Sequence, residues 1–254
     1  MHSLGNVLIR AWLMTPKKTG KYPAVLTVQG YSSVLQPEWL FKNDGVVSLG
    51  LNIRGHGNSR DDINPGFPGY LYYNMEDKEK YIYRGAYMDC VRAVDFLFSR
   101  PDVDTTRVAV EGGSQGGALS FATAAICGKR IRAAVPAVPF LSDFPEYMRV
   151  ATWPANEWND YAKAHPQFGM AGILKTLSYF DIKNLAPWIT ATVFMGVGLV
   201  DETCPPRINF AAYNNLKEKK KYQVFPLSGH GLPVEFDEMK IRFLNEQLDI
   251  NQDR

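Results

Sequence analysis

Cysteine is scarce in this chain: 254 residues hold three, Cys90, Cys127 and Cys204. An odd count at such wide spacing supports neither a disulfide framework nor a zinc-ligand pattern, so no metal and no organic cofactor is expected. Cys90 and Cys127 fall within or at the end of apolar helical stretches and read as small buried hydrophobes. Cys204 stands in a loop beside Asp201, where partial accessibility is expected. A dominant charge sign is absent too: 28 Lys and Arg against 26 Asp and Glu leave a net +2. That argues against a nucleic-acid partner, which needs a strongly basic face. The one basic run, Lys217 to Lys221, reads as the solvated C-terminus of a helix, favoured by the macrodipole. No apolar run is long enough for a membrane span, and no signal peptide is present, so no membrane partner is expected. If the chain is complete, it is expected in the cytoplasm; if a segment precedes it, in the periplasm or outside the cell. Internal repeats, low-complexity tracts and linkers are missing as well. The length suits one α/β domain.

What remains is an alternation of short apolar strands and helices. Strands are predicted over Val7 to Met14, Ala24 to Val28, Val46 to Ile53, Val108 to Glu111, Ala133 to Val138, Thr192 to Val197 and Tyr222 to Phe225. Helices are predicted over Arg84 to Phe98, Gly117 to Ile126, Pro205 to Leu216 and Val234 to Leu244. This alternation implies a mostly parallel sheet with helices on both faces. Two long excursions interrupt it. One spans about residues 58–83 and is polar and rich in aromatics. The other spans about 140–185 and is expected to form two or three short helices.

Ser114 lies in Gly112-Gly113-Ser114-Gln115-Gly116, between a predicted buried strand and a small-residue helix. By composition a bare Gly-x-Ser-x-Gly arises in roughly one chain in ten of this length, so the pentapeptide alone decides nothing. Its setting does: strand, Gly-rich turn with serine at the tip, helix is what a nucleophile elbow needs. A Cβ on the flanking glycines would clash with the neighbouring strand or helix. Partners follow in the order Ser, acid, His that this elbow requires in an α/β-hydrolase. Asp201 follows the late strand Thr192 to Val197. His230 stands in Ser228-Gly229-His230-Gly231 after the last predicted strand, the only one of four His in a Gly-flanked loop so placed. Glu202, adjacent to Asp201, and Asp143, after another strand, are the alternative acids.

Three longer stretches resemble a known family. These are Tyr179 to Pro187, Gly196 to Pro206 and Phe210 to Asn214, and they look like the acetyl xylan esterase/cephalosporin C deacetylase family, the seventh carbohydrate esterase family. Its Arg-Gly-Gln motif corresponds to Arg54-Gly55-His56, its Gly-x-Ser-Gln-Gly to Gly112 to Gly116, and its Pro-Phe-Leu-x-Asp-Phe to Pro139 to Phe144. The likeness runs from about residue 8 to about 245. This chain has Gln29 where the family usually has His, His56 where it has Gln, and Gly231 where it usually has Glu. Family members also extend further at the N-terminus, as if this chain were truncated or a short variant.

The resemblance implies an α/β-hydrolase fold and a serine esterase that removes acetyl groups from sugars such as xylo-oligosaccharides. Ser114, Asp201 and His230 would be the triad. The backbone N–H of Gln115 would form the oxyanion hole, and the resemblance supplies that of Tyr31 as the second donor. Arg54, with Gly55 and His56, would support the site, the buried guanidinium clamping the loops around it. Trp153, Trp158 and Tyr161 are candidates for core packing or for an aromatic lid. Rival readings are a short-chain carboxylesterase, a peptidase, or a non-catalytic binding module on the same fold. The Tyr- and Phe-rich segment from Gly66 to Tyr83 and the resemblance together imply a homo-oligomer.

Overall fold

The computed structural model describes residues 1–217 and 219–250. Strands β1 (Arg10–Met14), β2 (Tyr22–Val28), β3 (Val47–Asn52), β4 (Val103–Gly113), β5 (Ala133–Ala137), β6 (Thr192–Gly198) and β7 (Lys220–Phe225) form one sheet. Their order is β1-β3-β2-β4-β5-β6-β7. β1 is antiparallel to β3, and the other neighbours pair in parallel. The apolar runs of β2 and β3 are buried almost end to end, as parallel strands covered on both faces must be.

Side chains alternate between two cores, one on each face. Leu26, Val110 and Ala134 join helices α1 (Ile82–Ser99) and α2 (Gln115–Cys127). Val25, Ala109 and Ala133 join α8 (Val234–Gln247) through Phe236, Phe243 and Leu244. β2 connects outward to β3 on one side, and β4 to β5 on the other. Their C-terminal ends therefore flank a topological switch point, where open α/β sheets place their ligands.

The second excursion forms four helices rather than two or three: α3 (Phe144–Val150), α4 (Ala155–Ala164), α5 (Gly169–Leu177) and α6 (Ile182–Leu185). Pro154 at the start of α4 and Gly169, at φ 56°, at the start of α5 divide it into pieces too short for a periodic signal. α7 (Pro206–Asn214) precedes β7.

The aromatic segment after Gly66 departs from expectation. Tyr70, Leu71, Tyr81 and Tyr83 are fully buried, and Phe67 and Tyr72 pack against the same core. The rings lie on their own fold, with Tyr73 left exposed. Cys204 is also fully buried, contrary to the accessibility expected of its loop, while Cys127 is only partly buried. The basic run is not all solvated helix end. Lys220 and Lys221 begin β7, and Glu218 within the run lies outside the described residues. Lys220 Nζ nevertheless donates to the Tyr213 and Leu216 carbonyls at 3.0 and 2.9 Å, so a lysine from the strand caps the end of α7.

Candidate active site

β4 ends at Gly113 and α2 begins at Gln115, so the chain must reverse within Ser114. Ser114 takes φ 57°, ψ −120°, a backbone that an L-residue holds only when its surroundings impose it. Those surroundings are visible. Ser114 N–H donates to Ala137 O at 2.9 Å, and its carbonyl accepts from Phe140 N–H at 3.0 Å and Ala118 N–H at 3.1 Å. A Cβ at Gly116 would stand 2.1 Å from Val28 O, and one at Gly112 2.6 Å from the same atom. β2 and the elbow thus touch through backbone alone. Gly113 differs: a Cβ there would meet nothing within 4 Å.

The loop after β6 brings Asp201 under His230. His230 Nδ1 and Asp201 Oδ2 lie 2.9 Å apart, with the carboxylate fully buried and the imidazole about one-third exposed. The other Asp201 oxygen accepts from the Thr203 and Cys204 N–H groups at 2.9 and 2.8 Å. Burial, followed by the Asp201 charge, raises the Cys204 pKa well above that of a free thiol. The alternative acids lie elsewhere. Glu202 is exposed, and Asp143 pairs with Lys183 Nζ at 2.5 Å.

Beside this group, Gly30 at the end of β2 is close enough that a Cβ would lie 3.9 Å from Ser114 Cβ. Tyr31 follows in a turn, and Gln115 opens α2, where first-turn N–H groups have no helical partner. Neither N–H donates to another backbone group among the described residues. A cleft of about 340 Å³ borders His230, with Gly30, Gly113, Trp39, Leu232 and Lys240 in its wall. At its base Glu111 accepts from Thr27 Oγ1 and Lys240 Nζ, each at 2.9 Å, fixing the residue before the elbow to β2 and α8.

The supporting residues divide their work in a way the motif does not show. Arg54 holds Asp89 of α1 through Nε at 2.9 Å and Nη2 at 2.7 Å, and reaches Leu4 O at 3.1 Å. It clamps α1 and the N-terminal turn, not the loops around Ser114. Gly55, at φ 73°, makes the bend that sends the next residue inward. That residue, fully buried His56, faces the Gln115 side chain, Nε2 to Nε2 at 3.2 Å, while Gln115 Oε1 accepts from Tyr83 at 2.7 Å. The neutral Nδ1–H tautomer of His56 fits, accepting from Gln115. Burial lowers its pKa to about 3. The Gln29 amide turns away to β3, between Leu51 O and Ile53 N–H.

Of the proposed lid aromatics, Trp158 is core and donates to Leu71 O at 2.9 Å. Tyr161 stacks on His165, centroids 3.9 Å apart. Trp153 is 48% exposed and lies 6.0 Å from the Tyr31 ring, so it alone of the three borders the site from solvent. Glu157, Glu111 and Lys240 carry no motif and were invisible in the sequence. An acid beside a tryptophan in the first turn of a helix, as Glu157 is, was the one available signal.

Among known proteins, the acetyl xylan esterase (AXE1) family model matches residues 1–247. The acetyl esterase Axe7A of Xylanibacter ruminicola is 31% identical over 258 residues, covering 94% of this chain and 56% of that protein. The chain thus spans just over half the length of this curated relative. The crystal structure of acetyl xylan esterase 1 from Thermoanaerobacterium sp. JW/SL YS485 superposes with a TM-score of 0.84 at 33% identity, over 94% of this chain and 79% of that one. An acetyl xylan esterase from Paenibacillus sp. R4 gives 0.86 at 34% identity with the same coverage. The sheet order and these superpositions make the fold that of an α/β-hydrolase.

Proposed function

Because the chain belongs to the acetyl xylan esterase family, we propose that it is a serine esterase that removes acetyl groups from acetylated sugars such as xylo-oligosaccharides. The observation that carries this reading is the strained Ser114 turn at the switch point, with the hydrogen-bonded His230–Asp201 pair beside it, His230 sharing a cleft wall with Gly113. His230 Nε2 takes the Ser114 Oγ proton as Oγ attacks the acetyl carbonyl. The carbonyl oxygen becomes an oxyanion, and the Tyr31 and Gln115 N–H groups donate to it. The C–O bond to the sugar then breaks, and the leaving oxygen takes the proton back from His230. Water repeats the sequence on the acyl-enzyme and releases acetate. Asp201 holds Nδ1 protonated and stabilises the imidazolium. No metal or organic cofactor takes part. Trp39, 58% exposed in the cleft wall, offers a face on which a sugar ring can stack. Residues 1–254 form one domain in this proposal, because both excursions contribute side chains to the same core. The working form is a homo-oligomer.

A fluorophosphonate should label Ser114, and Ser114→Ala should abolish labelling and lower kcat by about 10⁴ to 10⁶ with the fold intact. Activity of the alanine variant within about tenfold of the parent would refute the assignment. Acetylated xylo-oligosaccharides and p-nitrophenyl esters of rising chain length define the substrate. Acetate should be cleaved fastest, since each extra methylene that fits would add about 0.8 kcal/mol of burial and must be blocked sterically. Faster cleavage of octanoate would count against a deacetylase.

A further inference from the structure

Tyr31 is anchored more firmly than a residue offering only its backbone requires. Its hydroxyl donates to both carboxylate oxygens of Glu157, each at 2.9 Å. Its ring stands edge-on to Phe67, centroids 4.9 Å apart, and to Tyr70 at 6.3 Å. Glu157 lies on α4, 126 residues away in sequence, and is 8% exposed. Its carboxylate thus ties the second excursion to the loop after β2, while Phe67 of the first excursion packs on the same Tyr31 ring. No cation pairs with it among the described ion pairs; its hydrogen-bond partner is the Tyr31 phenol. Burial raises its pKa, opposed chiefly by the Tyr31 hydroxyl. An acid buried against neutral donors is unfavourable for stability, so its presence asks for a gain elsewhere.

The gain lies in the loop that Tyr31 belongs to. Between Gly30 and Ser33, among the described residues, the loop's turn is closed by one long bond, Ser33 N–H to Gly30 O at 3.4 Å, and by Ser33 Oγ to the same carbonyl at 2.9 Å; the next anchor is Leu35 N–H to Asn52 Oδ1. Backbone contacts this sparse leave the Tyr31 N–H direction to be set by its side chain. An oxyanion donor must sit within a few tenths of an ångström of its place, and a misplacement of about 1 Å can cost roughly a hundredfold in rate.

We propose that Glu157 is a positioning residue: its carboxylate anchors the Tyr31 phenol and so holds the Tyr31 N–H at the oxyanion. This rests on the reading that Tyr31 N–H stabilises the oxyanion of a Ser114 esterase. The two excursions then brace the catalytic loop and are more than a cover for the sheet.

The test is hydrolysis of p-nitrophenyl acetate by Glu157→Ala, Glu157→Gln, Tyr31→Phe and the Glu157→Ala/Tyr31→Phe double variant, with fluorophosphonate labelling of each and of the parent. Glu157→Ala and Tyr31→Phe should each lower kcat by about 10- to 100-fold with KM within about twofold. The double variant should be no worse than either, since both changes remove the same bond. Glu157→Gln keeps an acceptor for the phenol and should recover most of kcat. A kcat within twofold of the parent in Glu157→Ala overturns the proposal, as do losses that multiply in the double variant or a Gln variant as poor as Ala. Should Glu157→Ala fail to fold, Tyr31→Phe decides: it removes one oxygen and keeps the ring packing, and an unchanged kcat is fatal. A parent that hydrolyses ester without labelling at Ser114 overturns the serine-esterase reading and this one with it. Normal labelling with unchanged variants overturns only the role of Glu157.

Discussion

Asp201 accepts three hydrogen bonds, from His230 and from the Thr203 and Cys204 N–H groups, so its carboxylate is fixed before any substrate arrives. Asp201→Asn should keep the shape, present an amide N–H to Nδ1, select the wrong tautomer and lower kcat on the order of 10⁴-fold. Glu202→Gln and Asp143→Asn should stay close to the parent; if either is the more damaging change in the same ester assay, the acid is misassigned. His56 leads to a pH prediction. Burial holds its pKa near 3, with the Arg60 charge contributing and the Arg54 carbonyl opposing. An unfolded histidine binds its proton below about pH 6.5. The stability that neutral His56 contributes is therefore whole above about pH 6.5 and is lost progressively as pH falls toward 3, by up to about 1.4 kcal/mol per pH unit. Urea unfolding between pH 6.5 and 4 should show a shallower fall for His56→Gln than for the parent. Parallel slopes would mean that His56 protonates without penalty.

At the scale of the element, the strand-turn-helix from β4 to α2 works because backbone meets backbone. Val28 O of β2 occupies the space where a Cβ at Gly116 would go, 2.1 Å away. Gly116→Ala must force β2 and α2 apart, at a cost of about 3 kcal/mol, the upper end for overpacking. Gly113→Ala meets open space and should remain within about 0.5 kcal/mol of the parent. Denaturant midpoints for the two variants check this pair. Equal losses would show that glycine is needed throughout the turn for its flexibility and not for the contact with β2.

At the scale of the whole molecule, the two edges of the sheet differ. β7 opens with Lys220 and Lys221, charges that discourage pairing with another chain. β1 opens with Arg10, held by Asp61 and Ser59, and beyond it presents Trp12, Leu13 and Met14, each 37–39% exposed, with no charge among them. Self-association is thus better argued from β1 than from the aromatic segment after Gly66, most of whose rings are internal and only Tyr73 of which is exposed. Light scattering coupled to size exclusion at micromolar concentration should give a mass above the 28.6 kDa of one chain, and Leu13→Lys should return it to that value. A parent already at 28.6 kDa would dispose of the idea.

The alternation of strands and helices, the elbow around Ser114 and the order Ser, Asp, His were all legible in the sequence. Each depends on spacing along the chain: buried parallel strands are continuous apolar runs, and a strand-to-helix reversal demands glycine at set positions. Asp201 and His230, which the structure joins by a hydrogen bond, were singled out the same way, as residues that follow late strands. Proximity in space was beyond such reasoning. That Glu157 meets Tyr31 across 126 residues, that Arg54 grips α1 while His56 reaches Gln115, and that Tyr70, Tyr81 and Tyr83 are core and not surface follow from how the chain folds back over the sheet. An isolated acid or tyrosine has the same local signature whether it ends in solvent or in the core. The helices of the second excursion are too short for hydrophobic periodicity to tell the two apart, so only tertiary packing decided which of these side chains would meet.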